Sequence, residues 1–148
     1  MQEVSLLVIS DLREKLEAVN RLLEKVYSEP IRLSNILLMF GVPPEELTII
    51  KKRWAPQLSD AVIDAVRSRF SSLRNGERDF FVLSNRLGLG SPACSLKNIA
   101  EKLALSRERI RQLEERAIRR CRTPKTKLTV ESYLKESLTV FRDSNKVA

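Results

Sequence analysis

Arg107, Glu108, Arg111 and Gln112 are spaced so that one helical face would carry two guanidinium forks, a carboxylate and an amide. That set suits reading rather than bond making. Arginine forks onto the acceptors of guanine, glutamine pairs with adenine, and glutamate accepts from the amino group of cytosine. Such side chains must ride on an element slim enough to enter a major groove. The flanking residues supply one, with apolar or small side chains at Leu96, Ile99, Ala100, Leu103, Leu105, Ile110 and Leu113. Small Ala100 suits the close approach of two helices, and Ser95 and Ser106 stand where a hydroxyl caps a first turn. The spacing predicts a helix-turn-helix, its second helix running from Arg107 to about Arg122 and ending before Pro124.

Charge is concentrated on the same segment. The net charge is +8, and residues 95–128 hold 11 basic and 4 acidic side chains, whereas residues 1–94 hold 13 and 12. A polyanionic partner explains that placement. Arg119, Arg120, Lys125 and Lys127 fit backbone phosphates, with Lys97 and Ser106 as further phosphate contacts.

With 148 residues, 43% hydrophobic and 31% charged, the chain is long enough for one ordinary domain or two small ones. No apolar run approaches the roughly 20 residues needed to span a bilayer, so no membrane association is expected. Leu6 to Ile9 is too short for an export signal. Cys94 and Cys121 are far apart and the chain has no histidine, so neither a metal site nor a disulfide framework is expected. A reducing, cytoplasmic setting is the simplest reading.

Strand-like alternation is absent, and the expected fold is all-α. Ile9, Leu12, Leu16, Val19, Leu23 and Val26 form one stripe on a helix from about Val4 to Tyr27. That stripe serves either the domain's own core or a seam for a homodimer or partner helix. Further helices are predicted over residues 31–40, from Pro44 to about Trp54, from a Ser59 cap to about Leu73, and from beyond Gly76 to Leu87. Pro56 is expected to separate the second and third of these, and Thr129 to cap a last helix. The expected division is a helical region over 1–70, for interaction or dimerisation, a DNA-binding unit over 71–128, and a C-terminal helix with a frayed tail over 129–148.

Glu77 to Leu89, Ser95 to Ala100 and Leu105 to Arg120 together resemble region four of primary-type bacterial sigma factors, over about residues 71–135. That resemblance implies a domain that binds the upstream promoter element and docks on the flap of the RNA polymerase beta subunit. By position, Arg107, Glu108 and Gln112 correspond to base readers, and Arg109 and Arg111 to positions that support them or hold phosphates. Ala104 stands at the turn position where glycine is common, and Lys97 and Asn98 replace acidic residues common in the family. Residues 1–70 do not resemble the sigma regions that bind the polymerase clamp and melt DNA. With one Trp, two Tyr and five Phe, the chain is poor in the aromatic residues that capture unstacked bases. It is not expected to act as a self-sufficient sigma factor.

The leading expectation is a non-catalytic transcription regulator that binds double-stranded promoter-like DNA and, by resemblance, the polymerase flap. The alternatives are a protein-interaction module that occupies the flap or a sigma-binding partner without useful DNA affinity, or the C-terminal part of a larger sigma-like factor. The opening methionine counts against the last. Catalysis is not expected. No histidine, glycine-rich phosphate loop or partnered nucleophile is present, and no cofactor is called for. Glu45 with Glu46, and Asp60 with Asp64, read as helix-start acids and an exposed face rather than metal ligands.

Overall fold

The computed structural model describes the backbone of residues 2–147 and the side chains of residues 12–143. Within it the chain forms seven helices, with no strand among the described residues. They are α1 (Gln2–Tyr27), α2 (Leu33–Met39), α3 (Pro44–Ser71), α4 (Gly76–Leu87), α5 (Leu96–Leu103), α6 (Arg107–Cys121) and α7 (Pro124–Val147).

The main core draws on both sides of position 70. Val19, Leu22 and Leu23 of α1 pack with Ile36 and Leu37 of α2, Val62 and Phe70 of α3, Leu83 of α4 and Leu134 of α7. Trp54 on α3 stacks on Phe141 of α7, ring centroids 4.2 Å apart and planes inclined by 10°. Arg21 donates to the Leu87 carbonyl at 3.0 Å, and Tyr27 donates to Glu131 at 3.1 Å, so α1 is tied to both α4 and α7.

This packing decides the role of the α1 stripe. Val19, Leu23 and Val26 are buried against the chain's own helices, and Leu16 packs at their edge. They are therefore core residues, not a seam open to a second copy. Leu12 is half-buried, and the Ile9 side chain lies outside the described residues.

Three boundaries differ from the sequence expectation. α2 starts at Leu33 rather than Ile31, because Asn35 Oδ1 takes up the Arg32 N–H at 2.9 Å and sets the first turn there. α3 passes straight through Pro56. An internal proline costs a helix about 3 kcal/mol through its lost N–H and ring clash. Ala55, Leu58, Val62, Val66 and Phe70, all buried along α3, offset that cost. Ser59 consequently lies in mid-helix, buried and with no hydrogen-bond partner for its hydroxyl, instead of capping.

The third difference concerns α7, which begins at Pro124 and continues through Asp143 to Val147. Thr123 caps it, accepting the Thr126 N–H at 3.3 Å, and Pro124 occupies the first helical position. Thr129 is interior, its hydroxyl donating to the Lys125 carbonyl at 2.8 Å. No helix among the described residues is long and apolar enough to cross a membrane.

Candidate nucleic-acid interface

A second, smaller core holds the helix-turn-helix together. Val82 of α4, Ile99 and Ala100 of α5, and Ile110 and Leu113 of α6 are all buried in it, with Leu96 and Leu103 at its edge. Leu105 stays largely outside, exposed at the turn. Ser95 caps α5 by accepting the Asn98 N–H at 3.1 Å, and Ser106 caps α6 by accepting the Arg109 N–H at 3.0 Å. Between the helices Ala104 adopts φ 55° and ψ 43°, the left-handed conformation a tight turn demands. An L-residue pays roughly 1–2 kcal/mol for it where glycine would not.

On its buried side α6 is clamped by charge. Asp79 of α4 is 0% exposed, and its Oδ2 takes Arg116 Nε at 2.9 Å and Arg120 at 3.0 Å. The same two guanidinium groups donate to the Arg74 carbonyl, at 3.4 and 2.9 Å. Arg86 of α4 adds an ion pair to Glu114 and a 3.1 Å bond to the Cys94 carbonyl, steadying the approach to α5. The turn that presents Arg74 and Asp79 depends on Gly76, since a Cβ there would stand 1.7 Å from the Phe70 carbonyl oxygen.

Asp79, Arg116 and Arg86 escaped notice in the sequence. The signal available was the i,i+4 spacing of Arg116 and Arg120, together with one acid early in α4. Arg120, expected on phosphate, is turned inward by this clamp and is not available to a backbone phosphate. Its neighbour Arg119 is exposed.

The opposite side of α6 is open. Arg107, Glu108, Arg109, Arg111 and Gln112 are all exposed within its first two turns. Glu108 and Arg111 pair through two bonds of 2.9 and 2.6 Å, and the third Arg111 nitrogen meets Glu115 at 2.5 Å. Gln112 accepts from Arg109 at 3.3 Å and donates to Glu108 at 3.5 Å. Arg107 makes no hydrogen bond or ion pair among the described residues.

Hydrogen bonding to Arg111 holds the Glu108 carboxyl below its ordinary range. The same bonds, with Glu115 nearby, raise Arg111 further above its own. These pairs lie in water, with Glu108 61% and Arg111 48% exposed, so they pre-shape the face without locking it.

The remaining basic residues flank this face. Lys97 on α5 and Lys125 and Lys127 at the start of α7 are exposed, Lys127 also lying over the Tyr27 ring at 4.8 Å. Arg122 reaches the Lys25 carbonyl at 3.3 Å. Ser106 spends its hydroxyl oxygen on the α6 cap. From Arg107 to Arg119 the exposed stripe is about 18 Å long at 1.5 Å per residue. Its hydrogen-bonding groups suit base edges near the N-terminus of α6 and phosphates toward its end.

No three His, Cys, Asp or Glu side chains come together as a metal cage among the described residues. Burial pushes the Cys121 thiol up to about 12, which leaves it a packing residue.

Comparison with known proteins agrees with this geometry. Residues 71–123 match the family model described as "Sigma-70, region 4". The chain is 35% identical, over 106 residues, to the RNA polymerase sigma-C factor of Nostoc sp. (strain PCC 7120 / SAG 25.82 / UTEX 2576), an overlap of 72% of this chain. A span of that length necessarily extends ahead of residue 71, so the similarity is longer than the helix-turn-helix and its surroundings. The overlap covers 23% of the relative's length. No solved structure matches. The segment that builds and carries the α6 face, residues 71–123, is thus similar to region 4 of the sigma-70 factors.

Proposed function

We propose that this chain is a transcription regulator that binds promoter-like duplex DNA by laying α6 in the major groove. Arg107, Glu108, Arg111 and Gln112 read base edges, while Lys97, Arg109, Arg119 and Lys125 lie along phosphates. The observation that carries this reading is the contrast within α6. Its rear is fixed by buried Asp79, and its front leaves Arg107, Glu108, Arg111 and Gln112 exposed, with exchangeable pairs among them. On binding, Arg111 gives up solvent-exposed carboxylates for a guanine edge or a phosphate, an exchange that costs little in water.

The resemblance to sigma region 4 supports a second contact, with the flap of the RNA polymerase beta subunit. Together the two contacts would make the chain an accessory to polymerase at promoters.

Fluorescence anisotropy with a labelled promoter-like duplex, titrated across a salt series, tests the DNA part. Affinity should fall steeply with salt, because phosphate contacts release counterions. Arg107→Ala with Arg111→Ala should weaken the preferred sequence by at least about tenfold and flatten discrimination between sequences. Lys125→Ala should weaken all sequences alike and reduce the salt slope by about 1. Weak, salt-insensitive binding that the double variant leaves unchanged would reject the proposal. Capture of polymerase core that survives charge reversal at Arg107 and Arg111 would shift the function to protein docking.

A further inference from the structure

We infer that the groove between α1, α2 and α3 is a binding site for a small amphipathic anion, a carboxylate or phosphate on an apolar body. It encloses a cavity of about 350 Å³. That is roughly the volume of a dozen water molecules and within the usual size of ligand pockets. Its floor is apolar, built from Leu16, Leu33, Leu37, Ala55 and Leu58. Leu37 and Leu58 are almost fully buried, so the groove lies directly over the main core, with half-buried Leu16 as its more open apolar wall.

The rim is basic. Arg13, Arg32 and Lys51 surround the opening, with Glu17 as the single carboxylate in the lining. None of these three cations forms an ion pair among the described residues. Asn20, which also lines the cavity, is already committed, accepting the Leu33 N–H at 2.9 Å. Three exposed cations border this apolar groove, and none of their charges is used in an ion pair among the described residues. They suit an anionic head, and the cavity suits a tail.

A nucleic-acid backbone would use the rim but not the floor. A neutral ligand would use the floor but not the rim. A small amphipathic anion uses both. The lining contains no residue of α5 or α6, so the site stands independently of the proposed DNA contact.

The test uses one tail with different heads on the full chain. Decanoate, decyl phosphate, decanol and decyltrimethylammonium are titrated by calorimetry, with amide chemical shifts locating the bound molecule. Decanoate and decyl phosphate should bind at one site and perturb amides around Leu33, Ala55 and Leu58, while decanol and the cation bind at least about tenfold more weakly. Comparing the two anions tells whether the head is carboxylate or phosphate.

Arg32→Glu with Lys51→Glu should abolish anion binding, and Ala55→Met should reduce it by filling the floor. Should the reversed pair lower the thermal midpoint, Arg32→Gln with Lys51→Gln gives the same comparison at smaller charge change, with binding again expected to fall. Equal binding of all four heads, perturbation elsewhere, binding indifferent to the rim charges, or no binding at all would each overturn the inference. So would displacement of both anions by an acidic peptide that spans the groove at higher affinity, which would make the occupant a protein segment.

Discussion

The two faces of α6 use the same chemistry for opposite ends. On the inner face Arg116 and Arg120 meet Asp79, whose side chain is wholly excluded from solvent. On the outer face Arg111 meets Glu108 and Glu115 in water. Desolvation separates them. A carboxylate removed from water depends on its partners, and removing one side strands the other at a cost of several kcal/mol. An exposed pair contributes little to stability and can be exchanged for another anion. The helix is therefore anchored by one set of arginines and free to work with another. Rigidity behind the outer face holds Arg107, Glu108, Arg111 and Gln112 in one array, as the proposed reading of base edges requires.

The largest way to break this contrast is to disturb the frame of the inner face. Gly76→Ala places a methyl against the Phe70 carbonyl and forces the start of α4 to move. It should cost on the order of 3 kcal/mol or more, read as a lower urea midpoint by circular dichroism. Next comes Asp79→Ala, which removes the shared acceptor. Because Arg116 and Arg120 remain 31% and 25% exposed and can turn toward water, the cost should be about 2–4 kcal/mol rather than the full value for a sealed pair. In the same assay Arg111→Ala should leave the midpoint unchanged within error. Equal losses from Asp79→Ala and Arg111→Ala would show that the faces do not differ.

A smaller effect concerns the turn between the helices. Ala104→Gly relieves the left-handed alanine, partly offset by the greater freedom of glycine in the unfolded chain. Stability should rise by about 0.5–1 kcal/mol, measured by the same denaturation.

The smallest test sharpens the outer face alone. Glu108 should titrate below the ordinary glutamate range by NMR, and return to it in Arg111→Ala. Since the folded value is lowered, its contribution is present above the unfolded value and disappears as pH falls through the folded one. This acid-side change should leave the midpoint near neutral pH untouched.

Much of the site was legible in the residues. Ser95 and Ser106 announced both helix starts, and Ile99, Ala100, Ile110 and Leu113 announced the small core, because caps and helical periodicity act over a few residues. Pro56 and Thr129 misled for the converse reason. Their local preferences were real, but burial along α3 and the Thr123–Pro124 start of α7 outweighed them. Arg120 misled because an arginine on a basic helix reads the same whichever way it faces. The α1 stripe likewise showed which side of the helix is apolar without showing what covers it. The groove between α1, α2 and α3 left no trace in spacing at all, since Arg13, Arg32 and Lys51 come from α1, the residue before α2, and α3.

By itself, the amino-acid sequence determined the all-helical character, the position of the helix-turn-helix and the chemical kind of its exposed face. Each of these is fixed by neighbours within a turn or two of the chain. Tertiary structure alone decided that Asp79 sits behind α6, that α1 buries Val19, Leu23 and Val26 in its own core, and that three distant cations ring one cavity. Those facts depend on which helices meet, and burial is what assigns a charged or apolar side chain to fold or to function.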